Sequence, residues 1–155
     1  MFIPVVLFNS GAWNNITAES LSRLRVVQLK YLKRILHTPT STANCIVYLE
    51  LGLLPIEYNI HINQLQFLYH ILSLEADDPV RENYEQQKLY LFEKNWFNEV
   101  YALRSKYGIG HTDEEIVSMS KDKWKAVVHS NVRAYALKNL NAENSCKSKT
   151  SNLPP

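Results

Sequence analysis

The stretch PIEYNIHINQLQFLYHILSLE, residues 55–75, decides the fold. At helical spacing Tyr58, Ile62, Leu65, Leu68, Tyr69 and Leu72 fill one face. Ile56, Ile60, Phe67, Ile71 and Leu74 fill much of the other. A helix that is apolar on two sides is buried on two sides. Pro55 suits its start, where a missing N–H costs no intrahelical bond. The spacing therefore predicts a central helix over about 55–75, and Leu68 as one of its core residues. Lys88, outside it, reads as a solvated side chain whose removal has little effect.

Upstream, Thr17 is an N-cap with Glu19 in the first turn. Leu21, Leu24, Gln28, Tyr31, Leu32 and Ile35 recur as a core-facing stripe. Arg23, Lys30, Lys33 and Arg34 fall on the opposite arc. This helix should stop near His37, because Pro39 biases Thr38 away from helical geometry. Ser41 or Thr42 caps a short second helix through Cys45, Tyr48 and Leu49, and Gly52 closes it.

Downstream, Glu75-Ala76-Asp77-Asp78-Pro79 is a break. Helical spacing resumes through Val80, Tyr84, Leu89 and Phe92, then Trp96, Val100 and Leu103, as one long helix or two shorter ones. Gly108 and Gly110 end it. Thr112-Asp113-Glu114-Glu115 is a capping-box pattern that opens a short helix. Ser120 caps a last helix carrying Trp124, Val127, Val128, Val132, Tyr135, Ala136 and Leu140. The expectation is an all-α, irregular bundle of five to seven helices over 1–141, with a disordered tail over 142–155. Four glycines in 155 residues are too few for most turn-dense β-sandwiches.

Cys45 and Cys146 stand 101 positions apart, without a CxxC knuckle, so neither a disulfide framework nor a zinc knuckle is expected. The apolar run Met1 to Phe8 is shorter than the roughly 20 residues that span a bilayer. It also lacks the basic n-region of a signal peptide. The expected setting is intracellular, nuclear or cytoplasmic, with no membrane partner, and the Asn15-Ile16-Thr17 sequon reads as chance.

No catalytic or metal-binding constellation is expected, and no cofactor. Asp77-Asp78 resembles the end of a polymerase metal motif, but its flanks are helix and proline, and the pair reads as a solvated loop. His37, His61, His70, His111 and His129 are scattered. His70, on the central helix, reads as a hydrogen-bonded structural histidine. Gly108-Ile109-Gly110 lacks the third glycine and preceding strand of a dinucleotide fingerprint.

Charge carries the functional signal. Residues 1–40 are net +4, residues 41–119 net −7 and residues 120–155 net +5. Phosphate contacts need Lys and Arg projecting together from one rigid surface. Arg23, Lys30, Lys33 and Arg34 meet that need, although solvated basic faces are common on amphipathic helices. Lys121, Lys123, Lys125, Arg133 and Lys138 make a second, weaker set.

Leu7-Phe8-Asn9-Ser10-Gly11-Ala12-Trp13 resembles the segment just after the palm of non-LTR, LINE-like retrotransposon reverse transcriptases, with Gly11 where that family usually has glutamate. Gln28 with Tyr31-Leu32-Lys33-Arg34-Ile35-Leu36, Tyr48-Leu49-Glu50-Leu51-Gly52 with Pro55-Ile56, and Leu65 with Phe67-Leu68-Tyr69-His70-Ile71-Leu72 are similar to its following blocks. Trp96, Asp113-Glu114-Glu115-Ile116 and Ser118-Met119-Ser120-Lys121-Asp122-Lys123-Trp124-Lys125 are similar to its post-polymerase region. The resemblance spans roughly residues 5–150. It implies a non-catalytic thumb-and-linker fragment, a truncated or degenerate copy without the palm or the endonuclease. Its partners would be RNA or DNA, held weakly and non-specifically through backbone phosphates by Arg23, Lys30, Lys33 and Arg34, and the upstream palm domain of the parent protein. The alternatives are a helical protein-interaction module and a non-functional transposon remnant.

Overall fold

A computed structural model of the chain describes residues 7–90 and 94–150. The described residues form a 3₁₀ turn over Ser10–Ala12 and seven α-helices, with no strand among them. In chain order the helices are α1 (Ala18–Ile35), α2 (Asn44–Leu51), α3 (Ile56–Leu72), α4 (Pro79–Gln87), α5 (Trp96–Lys106), α6 (Asp113–Ser118) and α7 (Lys121–Thr150). The all-α expectation holds.

Helix α3 is the hub. It packs against α1, α4, α5, α6, α7 and the 3₁₀ turn. Ile56, Ile60, Leu65 and Leu68 are fully or almost fully buried. The main core joins α3 to Tyr84 of α4, Trp96 and Val100 of α5, Ile116 of α6, and Trp124, Val128, Val132 and Ala136 of α7. A smaller core gathers Leu29 and Leu32 of α1, Cys45, Val47 and Tyr48 of α2, and Leu140 of α7.

Local signals set the helix ends. Thr17 Oγ1 accepts from Ser20 N at 3.1 Å. Gly52 closes α2 at φ 61°, in the left-handed region that glycine enters without steric cost. Asp78 accepts from Val80 N at 2.8 Å and Pro79 takes the first helical position of α4. The capping box at Thr112 and Glu115 is complete in both directions. Asp77 is exposed and Asp78 serves as this cap, in keeping with a loop. The segment after the break forms two helices, with Phe92 outside the described residues and Leu89 79% exposed.

Several expectations change in the folded chain. The second helix is preceded by Ala43, which makes no side-chain cap, rather than by Ser41 or Thr42. His70 is exposed at the end of α3, where it lies 5.8 Å from the Phe67 ring. The side-chain hydrogen bonds of histidines are made instead by His61, whose Nδ1 lies 2.6 Å from Tyr107 Oη, and by His129, whose Nε2 lies 3.0 Å from Gln66 Nε2. Finally, the last helix continues as helical backbone past Ala142 to Thr150, with Asn141 through Ser145 exposed, and residues 151–155 lie outside the described residues.

Lys88 is not a free surface group. Its ammonium lies 2.9 Å from both Asp113 and Glu85. Asp113 also accepts from Tyr84 Oη and Arg104 Nη1, each at 3.0 Å. Burial alone would push the Asp113 carboxyl up, but Lys88, Tyr84 and Arg104 together hold it below the usual carboxylate range.

Candidate nucleic-acid interface

The placement of the basic residues follows from how α1 is seated. Gln28 anchors it. The side chain is fully buried; it donates to Leu54 O at 3.1 Å and accepts from Tyr48 Oη and Ile56 N, both at 2.9 Å. Burying an amide is favourable only when its bonds are met in this way. Gln28, Leu29 and Leu32 are the buried residues of the helix. At about 100° per residue, that set is turned by about 60° from the expected stripe. Tyr31 and Ile35 therefore come out 43% and 50% exposed, beside Val27 at 50%. The cause is α2, which draws Leu29 inward through its contact with the Cys45, Val47 and Tyr48 cluster.

This rotation sets Lys30, Lys33 and Arg34 along a groove of about 530 Å³ between α1 and the chain that folds back after it. Val26 and Leu29 supply apolar lining, and Thr38, Thr40 and Asn44 the polar wall. Lys33 Nζ donates to Thr40 O at 2.7 Å, which ties the wall to the helix and leaves the positive charge at the groove. The side chains of Lys30 and Arg34 are exposed and meet no carboxylate among the described residues. Three cations and three neutral polar residues on one concave surface suit an anionic backbone.

Arg23 does not join them. Its guanidinium lies 2.6 Å from Glu19, one turn back on α1, and it stands about 10 Å along the helix axis from Lys30. Of the four expected contact residues, the structure brings together Lys30, Lys33 and Arg34. Arg25 faces the other way and forms a fork with Glu57, Nε to Oε2 at 3.1 Å and Nη2 to Oε1. Burial alone would lower its pKa, and the Glu57 carboxylate more than offsets that.

The second basic set does not converge. Lys121, Lys123, Lys125, Arg133 and Lys138 are all exposed on α7, but helical spacing spreads them around most of its circumference. Thr38, Thr40 and Asn44 carried no signal in the sequence, because their part in the groove depends on the fold-back after His37, which sits at φ 52°.

Among the described residues no group of three or more His, Cys, Asp or Glu side chains could hold a metal ion. No single described helix is long and apolar enough to cross a membrane; α2 and α3 together would pass by composition, but they meet at 55° and carry core residues. In comparisons with protein-family models, curated proteins and solved structures, nothing matches this chain.

Proposed function

We propose that the chain is a non-catalytic helical module that grips nucleic acid through backbone phosphates, as the thumb-and-linker resemblance implies. The observation that carries the reading is the groove beside α1, where Lys30, Lys33 and Arg34 converge and none of the three pairs with a carboxylate among the described residues. Contacts of this kind are sequence-independent and weaken steeply with salt. Binding to an RNA–DNA duplex, followed by fluorescence anisotropy, should fall in the non-specific range of about 1–100 µM at physiological salt. Its log–log salt slope should be about 0.9 per phosphate contact. Lys30→Glu with Arg34→Glu should weaken binding to every sequence alike and flatten that slope, while Lys121→Glu with Lys123→Glu should do less. Salt-independent binding, or a larger loss from the second pair, contradicts the reading.

A second reading has its own support. Val27, Tyr31 and Ile35 form an exposed apolar row along α1, next to the basic groove. Such a row suits a helical protein-interaction module, or the seat of the upstream palm domain that the resemblance implies in a parent protein.

A further inference from the structure

On the opposite flank of α1 lies a second, separate concavity of about 370 Å³, between α1, α3 and the end of α5. Its polar lining is Ser22, Arg25, Glu57, His61 and Lys106, and its apolar lining Ala18 and Leu21. None of these residues belongs to the groove of Lys30, Lys33 and Arg34.

We propose that this cavity is a phosphate-binding site, formed by Arg25, His61 and Lys106 with the Ser22 hydroxyl at its edge. Each donor is available for a stated reason. Arg25 spends Nε and Nη2 on Glu57, which fixes the guanidinium plane and leaves Nη1 free to donate. The two oxygens of Glu57 are each met by that fork, so the pair adds no net charge to the cavity. Lys106 carries the uncompensated positive charge; its ammonium sits 5.4 and 5.5 Å from the Tyr107 and Tyr135 ring centres and meets no carboxylate among the described residues.

His61 supplies a neutral donor. Burial pushes the Tyr107 phenol up, so it keeps its proton and can donate it to His61 Nδ1, 2.6 Å away. In the proposed site that bond puts the ring proton on Nε2, the nitrogen left for a ligand. Burial, with Lys106 adding to it, lowers the His61 pKa to about 4, so the ring is neutral at pH 7. Two cations, one neutral N–H and a hydroxyl around one carboxylate already neutralised suit a tetrahedral oxyanion. A cavity of this size exceeds what the phosphate group alone requires, so the site also admits a phosphomonoester of a small molecule. The inference is independent of the nucleic-acid reading.

The test is NMR of the full chain, following the Arg25 Nε, His61 ring and Lys106 Nζ signals. Inorganic phosphate and a nucleoside monophosphate are titrated separately, against sodium chloride at matched ionic strength. The expected result is saturable shifts at all three groups with both phosphates and none with chloride. A tighter midpoint for the monophosphate assigns the site to a phosphomonoester, and an equal one to the free ion. Lys106→Gln, at an exposed position, should weaken the midpoint at least fivefold, while Lys30→Glu with Arg34→Glu should leave it unchanged. Shifts that grow linearly without saturation, that appear equally with chloride, or that survive unchanged in Lys106→Gln overturn the proposal.

Discussion

Gly11 shows how much one missing atom decides. A Cβ there would meet Asn63 O and Phe67 Cβ, each at 2.9 Å, and neither is the far end of a flexible side chain. The close approach is held by named bonds. Trp96 Nε1 donates to Gly11 O at 2.9 Å, Asn63 Nδ2 to Ser10 Oγ at 2.8 Å, and Gln64 Nε2 to Trp13 O at 2.9 Å. The resemblance puts a glutamate at this position, and the packing here has no room for one. Gly11→Ala should therefore destabilise the chain by about 1–3 kcal/mol, as overpacking does. An unchanged denaturation midpoint would mean that the turn is not seated on α3 as described. The three basic residues of the groove were legible at this scale because helical spacing alone aligns them. The salt bridge from Arg23 to Glu19 is also a four-residue pairing readable in the sequence, yet it was the structure that separated Arg23 from the rest. The cavity of Arg25, His61 and Lys106 left no such trace, because its members come from three helices far apart in the chain.

At the scale of elements, what the sequence made legible was local. Thr17, Gly52, Asp78-Pro79 and the Thr112–Glu115 box act within one turn, and the structure has each helix end where they place it. The face that α1 buries was not local. Its apolar arc is wide enough to admit two seatings, and contact with α2 selects the one that exposes Val27, Tyr31 and Ile35. Helix α3 escapes this ambiguity because both its faces are apolar and both are covered. Leu68 is 1% exposed at the centre of that hub, and Leu68→Ala should cost about 2–5 kcal/mol in chemical denaturation. Lys125→Ala, at an exposed position of α7, should stay within about 0.5 kcal/mol. Lys88 is unsuited to that comparison, since it bridges Glu85 and Asp113. Equal effects at Leu68 and Lys125 would contradict the hub.

For the whole molecule, charge and packing divide along related lines. The α1–α2 layer has its own small core, joined to the rest through Leu140 and the Gln28 bonds to Leu54 and Ile56. That layer carries the groove, while the acidic middle of the sequence supplies α4, α6 and the loop between α3 and α4. A polyanion approaching the chain is drawn to the first region and repelled by the second. The most direct test of the groove as the contact surface is backbone amide NMR of the labelled chain titrated with a short RNA–DNA duplex at low salt. The groove predicts shifts concentrated over residues 26–44, with those of Lys30, Lys33, Arg34, Thr38 and Thr40 the largest, and little change along α4 and α6. A footprint centred on Lys121, Lys123 and Lys125 of α7, or no footprint at a salt concentration where anisotropy reports binding, would contradict it.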